Sequence, residues 1–444
     1  MLTVIGLLII VLIVGLLMWG KISPIVGMVL IPVLGAFAAG FGPTEITEFV
    51  DSGIGTVMNV VIMFIFAILF FGIMQDTGLF NPLISGLIKV SKGNVVTVAT
   101  CTAIVGAIAH LDGAGATTFL FTIPALLPLY KQLHMSRYLL LLIIATSASV
   151  MNMVPWAGPT GRVASILGES PADVWRPLIP VQIIGLVMVV ILAFLLGIRE
   201  KRRIARRFAN GEIQESESSN SGNLAIQEQA ATMSEEAKSL LRPKLMIVNI
   251  VIMLLTVVAL LEATWEPGLI FMVALSVALV VNYPNVKTQM ERIKVHAPSA
   301  LSMAAVILAA GVFLGIIRET GMLEAIALSL VEVLPGAVVP NLHIIMGILG
   351  VPLDLLTSTD AYYFALLPIV DGITSQFGVP TESTAYAMLI GNVIGTFVSP
   401  FAPALWLGIG LAGAEMGKHI RYSFLWMWGF SIILLFIAMA IGVV

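Results

Sequence analysis

Runs of about 20 apolar residues recur along this chain from one end to the other, and no other feature restricts the fold so tightly. A run of that length crosses a hydrocarbon layer of roughly 30 Å as a helix. Lipid also excludes open sheets and loops, because every backbone N–H and C=O must find its partner internally. Composition agrees: of 444 residues, 59% are hydrophobic and 11% charged, against roughly 25% charged in a soluble domain. The expectation is an all-α polytopic membrane protein. Spans are expected at about 2–19, 22–41, 54–75, 138–167 and 175–198, then at 245–262, 267–283, 298–317, 384–416 and 422–443. Two further apolar stretches, 94–130 and 337–370, each consist of two short runs around a polar tip. They read as re-entrant hairpins that enter and leave on one side. The first run lacks a basic leader and a small-residue cleavage site, so it reads as a retained helix. A single cysteine, Cys101, excludes an internal disulfide framework and a cysteine metal cluster.

The basic residues orient these spans. With the central loop in the cytoplasm and the hairpins not crossing, 19 of the 22 lysines and arginines fall inside, leaving Arg162, Arg176 and Arg318. Cytoplasmic loops carry such an excess. The first outer loop then carries Glu45, Glu48 and Asp51, and both termini lie outside. Residues 199–243 are polar; "NGEIQESESSNSGN" within them has no apolar periodicity and predicts a cytoplasmic linker. The basic run "REKRRIARR" before it sets topology and is also suited to anionic headgroups.

The chain repeats itself. "FFGIMQDTGLF" (70–80) returns as "FLGIIRETGML" (313–323), and "LDGAGATTFLFTIPALLPL" (111–129) as "LDLLTSTDAYYFALLPI" (353–369). "VPWAGPTG" (154–161) is echoed by "SPFAPALW" (399–406). The three matches keep one order and an offset of about 240 residues, and they fall on Gly, Asp, Thr and Pro rather than on interchangeable apolar positions. Each half, 1–198 and 244–444, holds five crossings and one hairpin. Five is odd, so the second half is expected upside down. Glycine and proline at 154–161 and 399–403 should break one crossing helix per half. Inverted repeats with broken helices meeting at mid-membrane characterise secondary transporters.

At these same motifs a family resemblance emerges. "HLDGAGATTFLFTIPALLPLY", "SVMNMVPWAGPTGR" and "GVPLDLLTSTDAYYFALLPI" resemble the citrate–metal:proton symporters, the CitMHS family of the ion-transporter superfamily, and the resemblance covers nearly the whole chain. It implies uptake of citrate complexed with a divalent metal, coupled to protons, across a bacterial cytoplasmic membrane. The superfamily's sodium–dicarboxylate transporters imply a dimerising scaffold and a transport domain that moves as an elevator. They carry Ser-Asn-Thr at both hairpin tips, where this chain has "DGAGATT" and "TSTDA", so sodium sites do not carry over directly. The alternative is another organic-anion carrier of the superfamily, working with sodium.

The charges suit a metal complex. Free citrate is a trianion, whereas the expected spans offer one central arginine, Arg162, with Arg318 near a boundary, and three aspartates. Citrate with a divalent ion carries net −1, which one arginine and several helix termini can hold. Asp112, Asp354 and Asp360 could complete the oxygen shell such a metal prefers. A carboxyl withdrawn from water takes up a proton more readily, which makes Asp112 and Asp354 proton-coupling candidates, with His110 either a relay or a structural residue.

Glycine at the tips, Gly113 and Gly115, lets backbone approach a ligand, and the start of a second hairpin arm presents free N–H groups. Substrate ligands are expected from Asp112, Gly113, Gly115, Thr117, Asn152, Gly158, Arg162, Thr357, Ser358, Thr359, Asp360, Asn392 and Ser399. Each has a plainer reading beside it. Asp112 and Asp354 could cap the hairpin tips, Arg162 could reach the outer interface, the asparagines could satisfy freed backbone groups, and the hydroxyls could bond their own helix. No dinucleotide fingerprint, P-loop or "HExxH" occurs. An enzyme, a permanently bound cofactor and a nucleic-acid partner are therefore not expected, and a homodimer in the bilayer is.

Overall fold

The computed structural model describes residues 1–18, 21–79, 82, 86, 94–210, 235–262, 264–333, 335, 338–356 and 359–444. Every regular element among them is helical. The first half runs α1 (Leu2–Met18), α2 (Pro24–Ala38), α3 (Pro43–Asp76), α4 (Val95–Ala109), α5 (Gly115–Gln132), α6 (Arg137–Met151), α7 (Gly158–Leu167) and α8 (Pro171–Ala209). The second runs α9 (Met246–Glu262), α10 (Pro267–Asn282), α11 (Val286–Glu319), α12 (Met322–Val333), α13 (Leu342–Ile348) and α14 (Gly350–Leu356). A π-helical turn, Ala361–Leu366, then leads into α15 (Leu367–Thr374), α16 (Thr381–Val393), α17 (Pro403–Ala412) and α18 (Met416–Ala440). Five described stretches are individually long and apolar enough to cross a membrane: α3, α8, Lys238–Glu262, α11 and α18. The chain is an integral membrane protein. Leu8, Val187, Leu254 and Ile433 lie exposed on its outside, as an outer surface in hydrocarbon requires.

The two longest matching helices hold the molecule together. α3 and α11 each have 34 residues and pack along one another, while α10 lies on α3 and α2 on α11. Small residues make the crossing possible, as between membrane helices generally. A Cβ on Gly53 would meet the Gly315 backbone at 2.8 Å, and one on Gly72 the His296 ring at 2.5 Å.

α7 packs against both helices of this pair. α6 is buried on every side from Leu139 to Met151, and α16 likewise from Thr384 to Val393, the pattern of a helix with no outward face. α6 stops at Asn152 and the chain resumes as α7; α16 stops at Ile394 and resumes as α17. α7 and α17 both end on a glycine with positive φ, Gly168 at 72° and Gly413 at 58°, the usual helix-terminating conformation. α4, at 15 residues, turns at 110–114 into α5. α13 with its preceding turn and α14 are bent by 66°. Both breaks therefore fall where the Gly/Pro pattern places them, and the chain turns within both of the two apolar stretches with polar tips.

Helix extents differ from the hydropathy reading. Glu45, Glu48 and Asp51 stand in the opening turns of α3, not in a loop, and Glu45 Oε2 accepts from Gly42 N at 2.7 Å. α11 begins at Val286 rather than near 298, with Asn285 Oδ1 accepting from Lys287 N at 2.8 Å. α8 runs through the basic run to Ala209. Hydropathy sees where apolar residues stop, but Glu, Lys and Arg are good helix formers and carry the backbone further. α12 was not anticipated. The linker's central residues, 211–234, lie outside the described residues.

Candidate functional site

The first hairpin turns on a closed network. His110 is fully buried, its Nδ1 2.6 Å from Thr118 Oγ1 and its Nε2 2.8 Å from Asn152 Oδ1. It thereby ties the turn both to α5 and to the end of α6. Asp112 accepts from Ala114 N at 2.9 Å and from the Thr117 hydroxyl, the bonding of a residue that caps the start of a helix. Gly113 holds φ at 70°, which favours glycine. From the broken helix, Trp156 Nε1 donates to Leu111 O at 2.7 Å, and Thr160 Oγ1 donates to Met153 O at 2.9 Å. The carbonyls freed by the break and the turn are thus satisfied.

The second half repeats the device with different side chains. Thr359 Oγ1 donates to Asp354 Oδ1 at 3.1 Å, so both hairpins carry a carboxylate–hydroxyl bond over five residues. Ser399 Oγ donates to Asp354 O, the counterpart of the Trp156–Leu111 staple. Asn392 Nδ2 donates to Gly350 O at 3.2 Å. Three buried acceptor-capable atoms differ from the first half: Asp354 Oδ2, Asn392 Oδ1 and Tyr363 Oη have no hydrogen-bond partner among the described residues. Thr357 and Ser358 lie outside the described residues.

The halves interlock at this depth. α5 packs on α17, and a Cβ on Gly115 would meet Phe397 at 2.5 Å and Ala404 at 2.9 Å. Gly115 thus serves the approach of protein to protein. The π-helical turn packs reciprocally on α7. There Arg162 Nε lies 2.6 Å from Asp360 Oδ1, with the two side chains 13% and 14% exposed. Gly158 makes room for this arginine, since a Cβ on it would stand 2.5 Å from Arg162 Nη1. Arg318 lies elsewhere, donating to Ile166 O at 2.5 Å near the end of α7.

The structure therefore joins Arg162 to Asp360, Asp112 to Thr117, and Asp354 to Thr359 and Ser399, while Asn152 is engaged by His110. It does not gather the three aspartates into one shell: among the described residues no group of three His, Cys, Asp or Glu side chains could hold a metal ion. Sequence reasoning missed Trp156, Phe397 and Tyr363. It also missed the pair His296–Asp76, 2.9 Å apart between α11 and α3, with Arg292 3.7 Å from the same carboxylate. The repeat held a signal for it, because Asp76 aligns with Glu319, which accepts from Ser52 Oγ at 2.9 Å.

Comparison with known proteins agrees with this architecture. The family model for citrate transporters, CitMHS, matches residues 5–391. A citrate transporter of Bacillus subtilis is 36% identical over 444 residues, covering 100% of both chains. A Mg(2+)/citrate complex secondary transporter of the same organism is 34% identical, covering 100% of this chain and 99% of that one. The solved YdaH transporter of Alcanivorax borkumensis superposes with a TM-score of 0.58 at 16% identity over 88% of each chain, a likeness of fold. These relatives are transporters, not enzymes. Two hairpins, two broken helices and a full-length match to that family lead to one conclusion: this chain belongs to the CitMHS citrate transporter family.

Proposed function

We propose that this chain is a secondary carrier that imports citrate as its complex with a divalent metal of the magnesium or calcium type, in symport with protons. The observation that carries the reading is Arg162, held by Asp360 where α7 meets the second hairpin. A guanidinium recognises a carboxylate through parallel N–H groups. One arginine among aspartates suits a substrate of net −1 far better than a trianion. A relative named for the Mg(2+)/citrate complex supports the same substrate. The metal travels as cargo with citrate, and no resident cofactor is required. Asp112, Asp354 and His110 are the candidates for proton handling; Asp354, with one unpartnered oxygen, has the most incomplete hydrogen bonding of the three.

The broken helices that follow the hairpin in each half, the matched 34-residue helices and the paired five-residue carboxylate–hydroxyl bonds support two inverted repeats. α2, α3, α10 and α11 would form the scaffold, and the hairpins with α6, α7, α16 and α17 the moving body of an elevator. The basic residues support a bacterial cytoplasmic membrane location with both termini outside, and the superfamily resemblance supports a homodimer. The deciding experiment is uptake of radiolabelled citrate into proteoliposomes with and without Mg²⁺ or Ca²⁺, and with and without a pH gradient. Uptake should require both the metal and the gradient. Uptake driven by sodium alone, or of metal-free citrate alone, would refute the reading.

A further inference from the structure

The Arg162–Asp360 pair is an unusual use of the residue a carboxylate substrate needs. Its arginine comes from the broken helix of the first half and its aspartate from the second hairpin, 198 positions apart in sequence. Both side chains are largely buried. By the alignment of the two hairpins, Asp360 stands where the first half has Thr118, a neutral hydroxyl that bonds His110. The second hairpin thus departs from its counterpart at the one position that faces a guanidinium. Around it the surroundings are rich in acceptors. Asp354 lies on the same hairpin and accepts from Thr359, the residue next to Asp360, and its Oδ2 is buried with no hydrogen-bond partner among the described residues, as is Asn392 Oδ1.

We infer that the Arg162–Asp360 pair is an exchange latch: a carboxylate of citrate takes Arg162, and the released Asp360 carboxylate turns to the metal that the citrate carries. The inference rests on the citrate–metal reading above and adds how the complex is told from free citrate. A carboxylate that loses its arginine in a buried site is left uncompensated, which is strongly unfavourable. Bound Mg²⁺ or Ca²⁺ brings the positive charge and the open oxygen coordination that Asp360 then lacks. Free citrate brings neither. It would displace Asp360 into surroundings that already hold unpartnered acceptors, with three negative charges of its own. Discrimination therefore comes from a penalty on the wrong substrate. The arginine is the shared element, and Asp360 is the specificity-determining residue.

The test compares citrate affinities of the purified full-length protein by isothermal titration, at saturating Mg²⁺ and in the presence of a chelator. Wild type should bind citrate at least roughly tenfold more tightly with Mg²⁺. Asp360→Asn should bring the two affinities to within about twofold, mainly by tightening the binding of free citrate. Asp360→Thr, which installs the residue type of position 118, should do the same and covers the case in which the amide misfolds. Asp360→Glu keeps the carboxylate and should keep the Mg²⁺ preference. If both neutral variants retain the wild-type ratio, or lose both forms of citrate alike, the latch is overturned and the pair is only structural. A wild-type protein that binds citrate in neither form overturns the citrate reading itself, and the latch with it.

Discussion

Replacing Trp156 with phenylalanine isolates one contact that the tertiary structure creates. The indole is 4% exposed and packs among Phe71, Phe271 and Trp175, with ring centroids 4.8, 5.9 and 6.2 Å away. A phenyl ring keeps much of that packing, and the aligned position in the second half is Phe401. What Trp156→Phe deletes is the N–H that reaches Leu111 O at 2.7 Å. The bond is partly buried, and a carbonyl there left without its donor costs at most the about 1–3 kcal/mol of a fully buried one. Taking about 2 kcal/mol, the open form of the hairpin tip should be roughly 30-fold more populated. The tip's other ties, Asp112 to Ala114 and Gly113 N to His110 O at 3.0 Å, are local and do not replace the lost anchor. Hydrogen exchange measured by mass spectrometry should therefore quicken by about that factor over 111–118 and stay unchanged over 140–148. Citrate affinity should fall with it, because Asp112 and Thr117 lie on the loosened segment. Exchange at 111–118 within about threefold of wild type would refute the staple, since a loss below roughly 0.7 kcal/mol is too small for an anchor that holds the tip.

Three further outcomes are expected. Arg162→Ala should weaken binding of the citrate complex by roughly 30-fold or more, since truncating one partner of a buried charged pair commonly costs about 2–5 kcal/mol. Arg162→Lys should recover only part, lacking the planar fork; near-normal affinity in the alanine variant, by titration at saturating Mg²⁺, would remove the arginine from the site. Gly53→Val should prevent recovery of folded protein on size exclusion, because its Cβ would meet backbone atoms of α11, whereas Gly55→Val, with nothing within 4 Å of the added Cβ, should be recovered normally. Cysteines at Thr44 and Glu48 should react with an impermeant reagent added outside, and cysteines at Ser216 and Ser218 only after the membrane is opened; the reverse pattern would invert the proposed topology.

Much of this protein is decided locally. Whether a segment can live in lipid depends on its own side chains and length, so the sequence alone predicts an all-helical membrane protein, and five described stretches are long and apolar enough to cross. The same reasoning marks α4–α5 and α13–α15 as apolar stretches interrupted by polar or glycine-rich residues, and the chain turns within each of them. Proline and glycine act on the backbone that carries them, so the breaks after α6 and α16 were legible too. The repeat added the equivalence of Asp112 with Asp354 and of Thr117 with Thr359, which the two carboxylate–hydroxyl bonds express. Helix ends were less legible, because polar helix formers extend α3, α8 and α11 beyond the segments lipid demands.

What the sequence could not decide is which partner each polar group meets. Arg162 could have clamped a carboxylate or reached an interface; its pairing with Asp360 exists because α7 packs against the second hairpin, 198 residues away. His110's partners could not be read from its position; the end of α6 brings Asn152 to its second nitrogen. Trp156 looked like one apolar residue among many, yet the bend after α6 aims its N–H at Leu111 O. His296 and Asp76 meet across 220 residues because glycines at 53, 72 and 315 let α3 and α11 lie close. Hydropathy makes these helices nearly interchangeable, so their pairing is set by the shapes of facing surfaces. Those surfaces exist only once the chain has folded.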